Sequence, residues 1–363
     1  MIAHGGDVWQ VSEELGISAS DILDFSANIN PRGLPPRARE RLSRDASDAS
    51  LLSFYPDPAA RCLRNALSEQ LGVAPEAIVV GPGAESLLAP ILRESGSALI
   101  PVPAFSEYRR VCEQQAIKVV PFPLARTELF RAPVDRLSKC IESESPGTVV
   151  LNNPHNPSGA MLDGTDLRRI IDVTRSTGAT AILDEAFIDY VPQASLVREA
   201  ARRPGLIAIR SLTKFYGCPA LRVGYAVAHP DIVGQIRSLL PTWPVTQLAL
   251  HALVEAVADH EYAEESVCEN AIERERLANS LTGLGFFVFP SAGNYLLLEL
   301  CADMRAASDL RAVLINKHRI LIRSCDSYEG LAPGRYIRVA VRTRGENRQL
   351  VLALTKELSL PQE

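Results

Sequence analysis

The sequence predicts an α/β fold, and three observations carry that expectation. Seven short, nearly unbroken apolar runs lie between about residues 77 and 228. Longer amphipathic stretches separate several of them. Gly, Pro, Asn, Asp and Ser gather where the runs end. Runs of Val, Ile, Leu and Ala without polar alternation suit strands buried on both faces. Strands that alternate with helices imply a mainly parallel sheet.

Taken in order, the strand candidates are AIVVG, SALIPV, IKVVPF, TVVLNN, TAILDEA, LIAIRS and RVGYAVA. The stretch PEAIVVGPGAESLLAPILRES should turn from strand to helix at Gly83. DGTDLRRIIDVTRSTG reads as a helix with Asp163 or Thr165 as N-cap and Gly178 as its stop. After about residue 244 the texture changes. The run from Val245 to Gly285 reads as long helix, ending or breaking near Gly283. FFVFPS, NYLLLEL, ILIRSC and YIRVAVR then read as strands, with a helix at ASDLRAVLINKH and another at the end. Strands with few helices fit a smaller α+β unit. The Pro- and Arg-rich NPRGLPPRARERL near residue 30 reads as a connection out of an N-terminal arm. The expected organisation is an arm over 1–44 that joins the small domain, a large domain over 45–244 and a small domain over 245–363.

Composition narrows the function classes. The 363 residues are 47% hydrophobic and 22% charged, enough to bury a large core. A formal net charge of −5 gives no basic field, so nucleic acid and anionic membrane are not expected partners. No apolar run approaches the ~18 residues of a spanning helix. The opening MIAHGGDVWQ lacks the basic and apolar regions of a signal peptide, so a cytoplasmic protein is expected. The seven cysteines include no C-x-x-C pair, and the six histidines show no close ligand spacing, so no metal site is expected.

The chemistry gathers around RSLTKFYGCPALRVGY. Ser211, Thr213 and Lys214 follow the apolar LIAI, and Arg222 comes a short loop later. In open α/β sheets, ligands bind beyond the carboxyl ends of strands. Asp184 and Glu185 follow a second run, and Asn152, Asn153 and Asn156 follow a third. In VVGPGAESLL, the backbone amides of Gly83, Ala84 and Glu85 open a helix and offer an anion site. As a dinucleotide fingerprint the segment fails, because Ser86 replaces the third glycine. Read singly, each feature has a plain structural meaning: a snorkelling lysine, an N-cap aspartate, an Asn-Pro turn. Read together they give one phosphate site, one carboxylate and one amine. That inventory fits pyridoxal 5′-phosphate. Lys214 would hold its aldehyde. Ser211, Thr213, Arg222 and the Gly83–Glu85 amides would face its phosphate, and Asp184 would keep its ring nitrogen protonated.

At these residues the chain resembles the fold-type I pyridoxal-phosphate enzymes. NPHNPSG, DEAFIDY and SLTKFYGCPALRVGY match that superfamily's signatures in order and spacing over nearly the whole chain. The resemblance implies a mainly parallel seven-stranded sheet with a smaller α+β domain, and a homodimer. Two groups compete within it: histidinol-phosphate aminotransferases and the L-threonine-O-3-phosphate decarboxylases of cobalamin biosynthesis. AHGGDVWQVSEELGIS, ILDFSANINPRGLP and ILIRSCDSYEGL resemble the decarboxylases. So does Phe187, where the aminotransferases commonly place a tyrosine that serves the cofactor's phenolic oxygen. Asn156 and Lys214 would then serve that oxygen. The resemblance further implies that Phe105 stacks on the cofactor ring and that Arg338 grips the substrate carboxylate. It gives Arg323, His4 and Tyr55 to the substrate phosphate, with Tyr55 reaching in from the second subunit. Without the resemblance, Phe105 and Tyr55 read as core or interface aromatics, His4 as an arm residue and Arg338 as the polar face of a strand.

The expected activity is therefore decarboxylation of a small phosphorylated amino acid, L-threonine O-3-phosphate. An aminotransferase on a phosphorylated amine is the nearest alternative. Ser211-Leu212-Thr213-Lys214 also forms an S-x-x-K as in serine acyltransferases, but the S-D-N and K-T-G partners of that motif are absent from the sequence. A cofactor-free binding protein on the same fold is a third class.

Overall fold

The computed structural model describes residues 5–358. All seven apolar runs form strands of one sheet: β1 (Ile78–Gly81), β2 (Ser97–Val102), β3 (Lys118–Pro123), β4 (Thr148–Asn152), β5 (Thr180–Asp184), β6 (Leu206–Ser211) and β7 (Gly224–Val227). Their spatial order is β1-β7-β6-β5-β4-β2-β3. The pairs from β3 across to β6 are parallel, and β7 runs antiparallel to both of its neighbours. The lack of polar alternation has its reason in the packing. Val149, Leu151, Ala181 and Leu183 face one apolar cluster, while Val150, Ile182, Ile207 and Ile209 face another on the opposite side of the sheet.

Register decides where the chemistry falls. Asn152 lies opposite Asp184, Asp184 opposite Ile209, and Ser211 and Gly81 both lie opposite Gly224. The ends of four strands and the start of β7 therefore meet along one rim of the sheet.

A second sheet is antiparallel: β8 (Phe287–Val288), β9 (Tyr295–Glu299), β10 (Arg323–Ser324) and β11 (Tyr336–Ala340), in the order β10-β11-β9-β8. Helices Ala307–His318 and Arg344–Leu358 cover it through Leu310, Leu314, Leu350 and Leu354. Leu23 and Asp24 pair in parallel with Ile320 and Leu321, and the Ala340 amide donates to Phe25 O at 2.8 Å. These bonds tie the N-terminal segment to this sheet.

Two local expectations need correction. The stretch from Val245 to Gly285 is not one helix but two, Gln247–Val257 and His260–Gly283. Asp259 takes the Tyr262 amide at 3.0 Å and so caps the second helix, which breaks the rod there. The segment after Gly83 does not open as an α-helix at once. It makes a 3₁₀ turn over Glu85–Leu87 and then a short helix over Leu88–Leu92. Pro90 has no amide to bond back to Ser86, so the first turn stays tight. Asp163 is the N-cap of Gly164–Ser176, taking the amides of Thr165 and Asp166 at 2.9 Å each.

Among the described residues, no helix is long and apolar enough to cross a membrane.

Candidate active site

A cavity of about 460 Å³ opens at the rim where the strand ends meet, between the central sheet and the antiparallel one. Gly83, Ala84, Glu85, Phe105, Asn156 and Asp184 line it, as do Ser211, Thr213, Lys214, Arg222, Arg323 and Arg338. The cavity thus gathers twelve residues singled out from sequence across more than 250 positions of chain. One other stands apart. Tyr55 is 77% exposed and stacks on Trp243, with ring centroids 4.3 Å apart. It does not line the cavity of its own chain. His4 lies outside the described residues.

Lys214 sits in the single helical turn Leu212–Phe215 that follows β6. The turn is held from outside. The Asn30 amide donates to Lys214 O at 2.9 Å, and Asn30 Nδ2 donates to Phe215 O at 2.8 Å. The Lys214 amine makes no hydrogen bond or salt bridge among the described residues, and lies 5.6 Å from the centre of the Phe187 ring. Burial, with Arg338 and Arg222 nearby, pushes it down to about 8, while Asp184 and Glu85 pull upward. The lowering enlarges the fraction of neutral amine, which is the form that attacks a carbonyl.

Asp184 ends β5 and is buried. Burial pushes its carboxyl up, while hydrogen bonds from Tyr108 and Ala186 and the charge of Lys214 pull it down. Tyr108 Oη donates to Oδ2, and the Ala186 amide donates to Oδ1 at 2.9 Å. The neighbouring strand end is fastened to the same residue. Asn152 Nδ2 and the Asn153 amide both donate to Asp184 O, at 3.0 and 2.9 Å. Asn152 Oδ1 in turn accepts from the Asn156 amide at 2.6 Å. His155 belongs to this scaffold and not to the chemistry. It is buried, bonded to Pro103 O and Ser158 Oγ, and held neutral, its value lowered by burial to about 4.

The anion end is built from backbone. Gly83 has φ +93°, and a Cβ there would come within 3.0 Å of Arg222 Nη2. A Cβ on Gly224 would lie 2.3 Å from the Ala84 amide nitrogen, so the Gly83–Glu85 turn rests directly on β7. Arg222 is itself left-handed, at φ +52°, and its guanidinium has no hydrogen-bonded or ion-paired partner among the described residues. Ser211 Oγ and Thr213 Oγ1 lie 2.9 Å apart beside it. Arg110 Nη2 reaches Glu85 at 2.5 Å and also pairs with Glu107, which clamps the turn to helix Ser106–Gln114.

In the antiparallel sheet, Arg323 and Arg338 are cross-strand neighbours on β10 and β11, and both are buried. Arg338 Nη1 donates to Asn156 Oδ1 at 2.5 Å and to Tyr328 Oη at 3.0 Å, and Nη2 donates to Ser26 O at 3.0 Å. Its Nε is buried and without a partner among the described residues. Arg323 Nη2 donates to Ser327 Oγ at 2.8 Å.

Sequence reading missed Tyr108, Tyr328, Asn30 and Arg110 as parts of this site. Tyr108 stands three positions after Phe105 inside a helix, where an aromatic reads as core. The two rings meet edge to face, with centroids 5.7 Å apart. Asn30 lies far away in sequence, in a Pro- and Gly-rich segment that reads as a connector.

The residues present fit pyridoxal phosphate. The structure offers an unpaired arginine beside a glycine-built turn, a buried carboxylate at a neighbouring strand end and an unpaired lysine between them. Known proteins agree. Residues 20–354 match the profile described as aminotransferase class I and II. The chain is 32% identical over 358 residues to the adenosylcobalamin biosynthesis bifunctional protein CobDQ of Leptospira interrogans, an alignment that covers 97% of this chain but only 40% of that longer protein. It is 33% identical over 365 residues to the threonine-phosphate decarboxylase of Salmonella typhimurium, covering 98% and 97% of the two chains. It is 28% identical over 357 residues to the histidinol-phosphate aminotransferase of Methanocaldococcus jannaschii, covering 96% and 93%. The crystal structure of the Sinorhizobium meliloti histidinol-phosphate aminotransferase in complex with pyridoxal-5′-phosphate superimposes with a TM-score of 0.85 at 25% identity, covering 96% of this chain and 93% of that one. By its sequence, its fold and the groups gathered at its sheet rim, this chain belongs to the aminotransferase class I and II family, and pyridoxal 5′-phosphate is its cofactor.

Proposed function

We propose that the enzyme decarboxylates L-threonine O-3-phosphate to (R)-1-amino-2-propanol O-2-phosphate and carbon dioxide, in cobalamin biosynthesis. One observation weighs most: two buried arginines, Arg323 and Arg338, are cross-strand neighbours and both line the cavity. Such a pair calls for a substrate with two anionic ends, and an amino acid phosphate has both. The names of two relatives at 32% and 33% identity support the same reading.

When bound, the cofactor supplies an electron sink for the pair released as a bond to the substrate α-carbon breaks. The protein does the rest. Asp184 holds a proton at the ring nitrogen. Arg222, with Ser211, Thr213 and the amides of Gly83, Ala84 and Glu85, binds the cofactor phosphate, and Phe105 stacks on its ring. Lys214 Nζ would hold the cofactor's aldehyde in the resting enzyme and would give a proton to the α-carbon that has lost carbon dioxide. Asn156 donates its amide to the phenolic oxygen, which Phe187 cannot do. Arg338 takes the substrate carboxylate. Arg323, together with His4 and the partner's Tyr55, takes the substrate phosphate. Anchoring both ends of the substrate would fix which bond to its α-carbon is presented to the cofactor.

The aminotransferase reading draws on the Methanocaldococcus relative, and glutamate too has two anionic ends. A substrate panel separates the two. With L-threonine O-3-phosphate the enzyme should release carbon dioxide and aminopropanol phosphate without added keto acid. With histidinol phosphate and 2-oxoglutarate it should form little glutamate. Rapid glutamate formation, with no carbon dioxide from threonine phosphate, would make it an aminotransferase.

A further inference from the structure

We propose that Tyr328 is a specificity-determining positioning residue, which leaves Arg338 a single free edge and so aims it at one carboxylate in one orientation. The inference rests on the assignment of Arg338 to the substrate carboxylate made above.

The donor inventory of Arg338 carries it. Nη1 has two hydrogens, and both are engaged, one by Asn156 Oδ1 at 2.5 Å and one by Tyr328 Oη at 3.0 Å. Nη2 spends one hydrogen on Ser26 O at 3.0 Å. What remains is the Nε hydrogen, buried and without a partner among the described residues, and the second hydrogen on Nη2. Nε and Nη2 thus make the one edge of the guanidinium at which both nitrogens keep an unengaged hydrogen, and such an edge can meet the two oxygens of a carboxylate. The end-on fork, made by Nη1 and Nη2, is closed because Nη1 is saturated. Without the Tyr328 hydroxyl, an Nη1 hydrogen is released, the end-on edge competes, and the guanidinium loses one of its three fixed contacts.

The same hydroxyl acts in a second direction. It donates to Asn156 Oδ1 at 3.3 Å. With its oxygen taken by Tyr328 and Arg338, the Asn156 side chain must present Nδ2 elsewhere, and Asn156 lines the cavity. The carboxylate clamp and the amide meant for the cofactor's phenolic oxygen are therefore held by one phenol. Arg323 lies 5.7 Å from the ring centre, and the Tyr328 side chain also hydrogen-bonds it, the smallest of the named influences on that guanidinium.

Tyr328 can do this because its loop is fixed on both sides. The Tyr328 amide donates to Cys325 O at 3.0 Å, and Tyr328 O accepts from the Leu331 amide at 3.2 Å. Glu329 pairs with Arg109 at 2.6 Å on helix Ser106–Gln114. Gly330, at φ +87°, passes so close to Pro103 that a Cβ would sit 3.3 Å from its nitrogen.

The test titrates holoenzyme with propionate, and separately with inorganic phosphate, following the cofactor's visible absorbance. Neither titration requires turnover. Tyr328→Phe keeps the ring and removes the hydroxyl. It should bind propionate about tenfold more weakly, the effect of one lost hydrogen bond to a charged group, and phosphate within about twofold of wild type. Equal loss of both ligands would make Tyr328 merely structural, and unchanged or tighter propionate binding would also overturn the inference. Arg338→Gln is the control for the underlying assignment. If it leaves propionate binding intact, the carboxylate clamp is wrong. If it abolishes binding while Tyr328→Phe does not weaken it, only the role of Tyr328 falls.

Discussion

Burial and the nearby guanidiniums of Arg338 and Arg222 hold the Lys214 amine at about 8, against 10.5 for an ordinary lysine, with Asp184 and Glu85 opposing them. Apo-enzyme should therefore capture pyridoxal phosphate faster as pH rises, levelling off above about 8. Below that midpoint the neutral fraction, and the capture rate, fall about tenfold per pH unit. Stopped-flow absorbance reads this directly, and a flat profile from about pH 6 to 9 would contradict a buried amine of this kind. Lys214→Ala should show no such band and no turnover. The same group adds a pH dependence to apo-enzyme stability. Between about 8 and 10.5 the unfolded chain keeps a proton that the native one has lost, so this contribution grows as pH rises through that window. Asp184 invites a matched comparison. Tyr108→Phe removes the hydroxyl bond to its carboxylate and should weaken cofactor binding about tenfold, as one charge-assisted bond is worth. Asp184→Asn should weaken it further, since a neutral partner no longer favours the ring proton. Fluorescence titration of apo-enzyme decides it, and equal affinity in all three proteins would remove Asp184 from the pyridine. Lys214, Asp184 and Asn156 were legible because each follows an apolar run, and a strand end in an α/β sheet faces ligand. Tyr108 and Tyr328 were not singled out. One has the spacing of a core aromatic and the other lies in a loop, and only tertiary contact gives either a partner.

At the scale of elements, seven strands and their burial could be read from composition, because a strand covered on both faces cannot hide its apolar content. Strand order could not. Nothing local in β7 says that it lies between β1 and β6 and runs against both. Nor does the pattern over Val245–Gly285 reveal the break at Asp259, where a side-chain cap outweighs helical propensity on either side. The placement of β7 has a consequence for the cofactor. Gly224 is where the phosphate turn touches the sheet, with the Ala84 nitrogen and Cα 2.3 and 2.7 Å from a Cβ built there, and Gly83 C at 2.8 Å. These are backbone atoms that cannot rotate away. Gly224→Ala should therefore push the Gly83–Glu85 turn off β7 and cost about 1–3 kcal/mol of stability, as overpacking does. It should also weaken pyridoxal phosphate more than it weakens folding, because the turn supplies the amides while the core lies elsewhere. Thermal denaturation with and without cofactor checks this. A mutant that loses stability but keeps the full cofactor-induced rise in Tm would show that the turn is not the phosphate site.

At the scale of the whole molecule, the surface around Tyr55 is unusually apolar. Leu52, Phe54 and Tyr55 are 57%, 71% and 77% exposed, and Trp243, stacked on Tyr55, is 48% exposed. Burying what these four leave exposed is worth about 4–8 kcal/mol, at 1.5–3 for each side chain buried in full. That is comparable with the 4–15 kcal/mol or so that association costs in lost freedom. The patch can therefore anchor a subunit interface but needs the polar surface around it to make a stable one. We expect a homodimer in which Tyr55 completes the partner's site. The prediction is specific to that arrangement. The Tyr55→Phe homodimer should be weak in turning over threonine phosphate, and the Lys214→Ala homodimer should not turn it over. In the hybrid of the two, one site has both changes and the other has both wild-type residues, provided that Tyr55 crosses the interface. Mixing the variants should then restore up to about half of one wild-type dimer's activity per hybrid, since active sites of this kind are assembled by positioning. If Tyr55 served its own subunit, every site in the hybrid would carry one change and mixing would restore nothing. Native mass spectrometry confirms that hybrids have formed, so absence of recovery would count against the crossing and could not be put down to failed exchange.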